Sequence, residues 1–236
     1  MSTQGVGADG HSPRIGAGDA HSAQMRRLLH TAMTRARQRL VLAYAARSSR
    51  GALQPPSPFV EEARAALGAI DILVTNAGGP PAGNFASTPL EAYQAALDLN
   101  LLSVIAMCKA AVPAMQEHGW GRVVAITSIA VKQPIAHLIL SNTARSGATG
   151  FLKTLALEVA PDGITVNSVL PGLHATDRLR QLYGDNIEST ERSLPTRAFG
   201  DPSDFGRVAA FLCSEHARFV TGVALQVDGG AYLGLL

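Results

Sequence analysis

The chain has 236 residues and a mass of 24.6 kDa, which fits one large domain or two small ones. Hydrophobic residues make up 47% of it and charged residues 16%, which excludes disorder for most of the chain. Its apolar runs stay shorter than the roughly 18 residues of a membrane span, and Cys108 and Cys213 are too few for a disulfide framework or a zinc cluster. We therefore expect a soluble cytoplasmic protein without a metal.

Charge is unevenly distributed along the chain. Residues 1–50 carry eight arginines against Asp9 and Asp19, a net +6, which leaves −4 on residues 51–236. A basic segment can bind nucleic acid or an anionic membrane, but stacking on bases requires aromatic residues interleaved with the arginines, and this segment lacks that arrangement. We expect neither a nucleic-acid partner nor a membrane partner.

The first 57 residues contain little periodic sequence. Residues 1–20 are Gly-rich without an apolar run, and 54–58 (QPPSP) predict a linker. Apolar residues recur at helical spacing over 22–40, which predicts a basic amphipathic helix, and 40–46 form a candidate strand. An Arg-rich, acid-poor amphipathic start is also typical of a mitochondrial transit peptide, although we favour an ordinary surface helix.

From residue 58 onward, apolar segments of strand length alternate with longer helical patterns, the order typical of an α/β fold. The predicted strands cover 70–75, 122–127, 164–170 and 223–227. The predicted helices cover 88–117, 141–159 and 201–213, the first with Thr88 as its N-cap. We predict a single α/β domain over 58–236, a Rossmann-like, doubly wound parallel sheet, preceded by an atypical basic segment over 1–57.

Six short motifs occur in a fixed order along this domain. They are NAG at 76–78, LNL at 99–101, ITS at 126–128, KTLALE at 153–158, VNSVLPG at 166–172 and VDGG at 227–230. Any one of them is a weak signal, but all six stand in register. Residues 58–236, about three quarters of the chain, resemble the short-chain dehydrogenase/reductase family.

The resemblance implies hydride transfer between NADP or NAD and a carbonyl or alcohol substrate, as in a 3-oxoacyl reductase. Ser128 would hydrogen-bond the substrate oxygen and stabilise the charge that develops there, and Asn100 would hold a water of the proton relay. The implied catalytic residues are Ser128, Asn100, Ser141 and Arg145. The implied cofactor-binding residues are Asn76, Ala77, Gly78, Arg145, Pro171, Gly172 and Thr176. A homodimer or homotetramer, packed through the helices at 89–117 and 141–159, is also implied.

Two catalytic positions depart from the family pattern. The family has a tyrosine thirteen residues after the serine, as proton donor, and a lysine four residues further on; here Ser141 and Arg145 stand at those positions. A serine hydroxyl is a far poorer acid than a phenol, whose reference pKa is about 10. Arginine is effectively never deprotonated, although it can still donate to ribose hydroxyls. The candidate replacement acids are Lys132, His137, His174 and Tyr183.

The segment expected to bind the cofactor also departs from the family pattern. The family opens with an apolar strand that enters a glycine-rich turn, where the diphosphate approaches a helix N-terminus. The glycine pattern at 5–10 follows too few residues for a strand, and the closer match at 10–16 has Arg14 in place of its middle glycine. If 40–46 is the second strand, Arg47 and Arg50 after it favour NADP over NAD.

These losses leave two questions open. Residues 1–57 are either a degenerate nucleotide-binding half, with the first βα unit degraded or missing, or the product of a reading-frame error, which we favour slightly. The chain is either an NAD(P)-dependent oxidoreductase, which we favour, or a catalytically impaired pseudoenzyme that serves as a nucleotide-binding or scaffolding subunit.

Overall fold

The computed structural model describes residues 40–44 and 69–235. Within them, five parallel strands form one sheet, in which each strand pairs with the next along the chain. The strands are Leu40–Tyr44 (β1), Ile72–Asn76 (β2), Gly121–Ile126 (β3), Ile164–Pro171 (β4) and Ala224–Val227 (β5). The strands β2, β3 and β4 are buried along almost their whole length, as expected of a parallel sheet covered on both faces.

Helices connect the strands. They are Glu91–Leu97 (α1), Ser103–His118 (α2), Ile139–Val159 (α3), Asp177–Tyr183 (α4), Ile187–Ser193 (α5) and Pro202–Leu212 (α6). A π-helical turn, Asp98–Leu102, joins α1 to α2. Short 3-10 turns cover Ile129–Val131, Ala160–Asp162, Gly184–Asn186 and Glu215–Ala217.

The two faces of the sheet have separate cores. Successive strand residues point to opposite faces. Leu73 and Val123 therefore pack with α2 and α3 on one face, while Val74 and Val124 pack with α6 on the other. The doubly wound α/β architecture predicted from the sequence is confirmed.

The predicted strands and long helices after residue 58 are all present, with their ends shifted by a few residues. The predicted cap is wrong, because the first helix begins at Glu91 after Leu90 and has no side-chain cap. The same helix is interrupted by the π-helical turn, which the sequence pattern did not predict. The short helices α4 and α5 were also missed, since their segment mixes charged and apolar residues without a clear period.

The position of β1 bears on a conditional prediction. The preference for NADP holds only if the candidate strand at 40–46 is the second strand, and Leu40–Tyr44 pairs in parallel with β2 along its whole length. In the doubly wound order 3-2-1-4-5-6, the strand beside the fourth is the first. The condition under which Arg47 and Arg50 favour NADP is therefore not met, and the predicted loss of the first βα unit stays a prediction. The glycine patterns and, apart from Leu40, the predicted amphipathic helix lie outside the described residues.

The continuous helical stretch Glu91–His118 is long and apolar enough to cross a membrane by length and composition, since its most apolar 18 residues have a mean hydropathy of 1.7. The core helix of a soluble protein passes the same test. Here Val104, Met107, Ala111 and Met115 belong to the core that covers β2 and β3. The apolar side chains of this stretch therefore pack against the sheet inside the protein.

Two glycines provide a matched test of the backbone. Gly163 precedes β4 with φ +72°, and a Cβ added there would collide with the carbonyl oxygen of Gly119. We expect Gly163→Ala to lower the free energy of unfolding by about 1–3 kcal/mol in urea denaturation. Gly150 is exposed within α3 with open space around its Cβ direction, so Gly150→Ala should raise that free energy by about 0.5–1 kcal/mol. Equal stabilities of the two variants would contradict this account.

Candidate functional site

A cavity of about 280 Å³ lies at the carboxyl ends of β2, β3 and β4, the edge at which open parallel sheets bind ligands. Three of the four predicted catalytic residues line it: Ser128, Ser141 and Arg145. All of the predicted cofactor-binding residues line it as well: Asn76, Ala77, Gly78, Arg145, Pro171, Gly172 and Thr176. The structure thus brings together residues that are separated by up to about a hundred positions in the chain.

Arg145 is buried in the cavity wall, with 8% of its surface exposed. Its Nη1 donates to the carbonyl oxygens of Ile126 and Thr127 at 3.2 and 3.1 Å, and its Nη2 donates to those of Ala77 and Gly78 at 3.0 and 3.3 Å. Within the described residues no carboxylate pairs with it. Burial lowers the pKa of Arg145 to about 10, so the side chain stays protonated at neutral pH.

These bonds bear on the predicted ribose contact of Arg145. The terminal nitrogens of a guanidinium carry four N–H groups in a fixed planar arrangement. The four carbonyls match that number, and they come from the ends of two neighbouring strands. Arg145 therefore joins the end of β2 to the end of β3, and a contact with ribose stays a prediction that would compete with these bonds.

Asn100 is the predicted catalytic residue that does not line the cavity. It lies in the π-helical turn, is 2% exposed, and donates from Nδ2 to the carbonyl oxygen of Gly78 at 3.0 Å. The same oxygen accepts from Arg145, so Asn100 supports the turn after β2 from behind the wall. Its Oδ1 is buried and has no hydrogen-bond partner among the described residues. Its predicted role in holding a water is not tested by this arrangement.

The two serines differ in how their hydroxyl groups are held. Ser128 follows β3, and its Oγ accepts a hydrogen bond from the backbone N–H of Ala130 at 3.1 Å. That bond orients the hydroxyl group, and no described residue accepts its proton, so Ser128 can donate to a ligand. Ser141 lies in the first turn of α3, buried, one helical turn before Arg145 and on the same face.

Of the four candidate replacement acids, only His174 lines the cavity. His137 is exposed, with a positive φ of 61°, and its carbonyl oxygen accepts from the backbone N–H of Gly83 at 2.7 Å. Lys132 is exposed, and its ammonium lies 5.7 Å from the ring centroid of Tyr232. Tyr183 ends α4 outside the cavity wall.

His174 follows β4 and is partly buried. Its Nδ1 lies 3.3 Å from the carbonyl oxygen of Gly172, and its ring meets that of Phe205 edge-on at 5.0 Å between centroids. Burial lowers the pKa of His174 below its usual 6.5, while the bond to Gly172 and the charges of Asp201 and Asp228 oppose that shift.

Sequence reasoning missed the apolar part of the wall. It is formed mainly by Leu138, Leu173, Leu179, Pro202 and Phe205. Each of these has the pattern of an ordinary core or helix-start residue. The family resemblance implies that the segment 173–199, which contains Leu173 and Leu179, sets substrate specificity, but no local pattern marks the individual residues. Packing brings them to the cavity, since Leu138 precedes α3, Leu179 lies on α4, and Pro202 and Phe205 lie on α6.

Comparison with known proteins identifies the family. A family model described as enoyl-(acyl carrier protein) reductase matches residues 57–232, most of the chain. The chain belongs to the short-chain dehydrogenase/reductase family. The resemblance predicted from the six motifs is confirmed.

Individual members are similar over the same part of the chain. Dehydrogenase/reductase SDR family member 4 of Homo sapiens is 39% identical over 69% of this chain and 60% of its own length. The 3-oxoacyl-acyl-carrier-protein reductase FabG of Escherichia coli is 35% identical over 74% of this chain and 71% of its own. L-Sorbose reductase from Gluconobacter frateurii, solved with NADPH and L-sorbose, superposes with a TM-score of 0.73 at 28% identity, covering 80% of this chain and 76% of that one. The chain thus spans about three fifths of the length of the human relative.

The bridge made by Arg145 can be tested by a substitution that keeps its charge. A lysine has one nitrogen and cannot reach four carbonyls on two strands. We expect Arg145→Lys to lower the free energy of unfolding by about 1–3 kcal/mol in urea denaturation. Arg192→Lys is the control, since Arg192 is 73% exposed and only pairs with Glu188 at 3.7 Å; it should change stability by less than about 0.5 kcal/mol. If both substitutions lowered the free energy of unfolding equally, the four hydrogen bonds of Arg145 would not contribute to stability.

Proposed function

We propose that the chain is an NAD(P)-dependent oxidoreductase that reduces a small carbonyl compound or oxidises the corresponding alcohol, with 3-oxoacyl compounds as the substrate class. The observation that carries the proposal is the single cavity lined by Ser128, Ser141 and Arg145 at the carboxyl edge of the sheet. The reductases among the relatives, one of them solved with NADPH, support both the reaction type and the cofactor.

The cavity suits the reactive end of a nicotinamide cofactor, which when bound would supply the hydride. Its wall contains the turn Asn76–Gly78, the turn Pro171–Gly172 and a largely apolar remainder. No acidic side chain among the described residues lines it, so no carboxylate of the wall repels a phosphate-bearing ligand. Thr176 adds a hydroxyl that accepts from the backbone N–H of Leu179 at 3.2 Å and whose proton no described residue accepts, so it can donate to a ligand.

Ser128 is assigned to the substrate oxygen. Its hydroxyl is oriented by the N–H of Ala130, so it is ready to donate as negative charge develops on that oxygen. The protonated guanidinium of Arg145 contributes a fixed positive charge in the same cavity. Ser141 faces the same space but cannot act as an acid near neutral pH.

The alternative, a catalytically impaired nucleotide-binding or scaffolding subunit, rests on Ser141 and Arg145 at the expected tyrosine and lysine positions and on the lack of a clear glycine motif. The comparisons give it no support, since the relatives described above are dehydrogenases and reductases. Binding of the cofactor without turnover of any substrate would support the scaffolding alternative.

We also propose that the chain forms a homodimer or homotetramer through the helical stretch from α1 to α2 and through α3. Leu157 supports this, because it projects from α3 with 70% of its surface exposed. A cytoplasmic location is supported by Cys108 and Cys213, which are free and buried, with the pKa of each thiol raised to about 12 by burial. Sedimentation that showed only monomer would contradict the oligomer.

Cofactor binding is the first expected outcome. Titration of the full chain with NADPH and with NADH, followed by nucleotide fluorescence, should show saturable binding of at least one of them. The cavity described above accounts for such binding at the nicotinamide end. If neither nucleotide binds, the oxidoreductase proposal is wrong.

The role of Ser128 predicts a loss in catalysis rather than in binding. Ser128→Ala should lower kcat about 10²–10³-fold, the usual effect of removing one oxyanion donor, while the Kd for the cofactor stays unchanged. Ser146→Ala is the matched control, because Ser146 is exposed on α3 and lies outside the cavity wall. Equal kcat values for the two variants would remove Ser128 from the mechanism.

A further inference from the structure

Building on the proposed function, we propose that His174 donates the proton to the substrate oxygen in the reduction, the step for which Ser141 is too weak an acid. The proposal rests on the place of His174 in the cavity and on the way its ring is held there.

Composition of the cavity wall is the first argument. Among the described residues that form it, the side chains able to carry charge are Arg145 and His174. Arg145 stays protonated and is bonded to four carbonyls, so it cannot release a proton near neutral pH. An imidazole is the side chain whose ordinary pKa suits proton transfer in that range. His174 is thus the described residue of the wall that can act as an acid and as a base.

The orientation of the ring is the second argument. The Nδ1–H of His174 points to the carbonyl oxygen of Gly172 at 3.3 Å, so Nε2 is the nitrogen left to exchange a proton with a ligand. Phe205 holds the ring from the side. Gly200 leaves it room, since a Cβ at Gly200 would lie 2.6 Å from Cδ2 and 2.7 Å from Nε2 of His174.

The proton balance is simple. In the reduction, the carbonyl carbon gains the hydride, the electron pair of the C=O π bond moves to oxygen, and that oxygen takes the proton from Nε2 of the protonated His174. The ring is left neutral and regains a proton from water. In the oxidation, neutral His174 takes the hydroxyl proton of the alcohol as the hydride leaves its carbon.

The charged groups around His174 set the expected pH dependence. Asp201, the N-cap of α6, and Asp228, which follows β5, face the ring and favour its protonated form, while burial disfavours it more strongly. Asp201 is itself influenced by Arg207. Because the pKa of His174 is lowered, the protonated acid is lost as the pH rises through a value below 6.5. The reduction should therefore slow over that range, and the reverse oxidation should speed up.

The test compares His174→Gln with His137→Gln, using NADPH and a panel of ketones that includes acetoacetyl-CoA. We expect His174→Gln to lower kcat for the reduction about 10²–10⁴-fold, the usual contribution of a general acid to the rate. The kcat that remains should no longer change with pH as described above. NADPH binding, measured by fluorescence in the same preparation, should remain. His137 is exposed and outside the wall, so its variant should behave like the unmodified protein.

A second variant moves the ring without removing it. Gly200→Ala places a methyl group against Cδ2 and Nε2 of His174 and should also lower kcat, with the fold checked by circular dichroism. An unmodified protein that neither binds a nucleotide nor turns over a ketone would overturn the proposed function and this role with it. Turnover and binding with an unchanged kcat and pH profile in His174→Gln would overturn the role of His174 alone.

Discussion

The candidate site depends on one buried cation that, among the described residues, is stabilised by carbonyl dipoles and has no carboxylate partner. Arg145 donates to four carbonyl oxygens at the ends of β2 and β3. Parallel strands end at the same edge of a sheet, so their last carbonyls come close enough for one planar guanidinium to reach them. Arg145 thereby joins the two turns after β2 and β3 that form part of the cavity wall.

The carbonyl of Gly78 extends this arrangement to the helices. It accepts from Arg145 on α3 and from Asn100 in the π-helical turn. A π-helical turn inside a helix costs regular hydrogen bonding and is frequently found at functional sites. Here it brings a buried amide to the turn after β2. The strand ends, α3 and the turn between α1 and α2 are thus connected through one backbone oxygen.

Side chains of this site can orient a ligand, but none of the hydroxyl groups described in its wall is an acid that works near neutral pH. Ser128 and Thr176 each accept from a backbone N–H and can donate a hydroxyl proton to a ligand. Neither can release that proton at neutral pH. A carbonyl reductase on this scaffold needs an acid from elsewhere in the wall, and an imidazole from the segment after β4 is the group the structure provides there.

Sequence by itself determined the family, the alternation of strands and helices after residue 58, and nearly all the polar wall of the cavity. These features are local, because strand periodicity, turn residues and motif spacing each depend on residues that are close together in the chain. Tertiary structure decided the rest. The place of β1, the commitment of Arg145 to four carbonyls, the position of Asn100 behind the wall and the presence of His174 within it all depend on contacts between distant segments. No local pattern encodes which backbone oxygen a side chain will meet, since that is set by how strands and helices pack against each other.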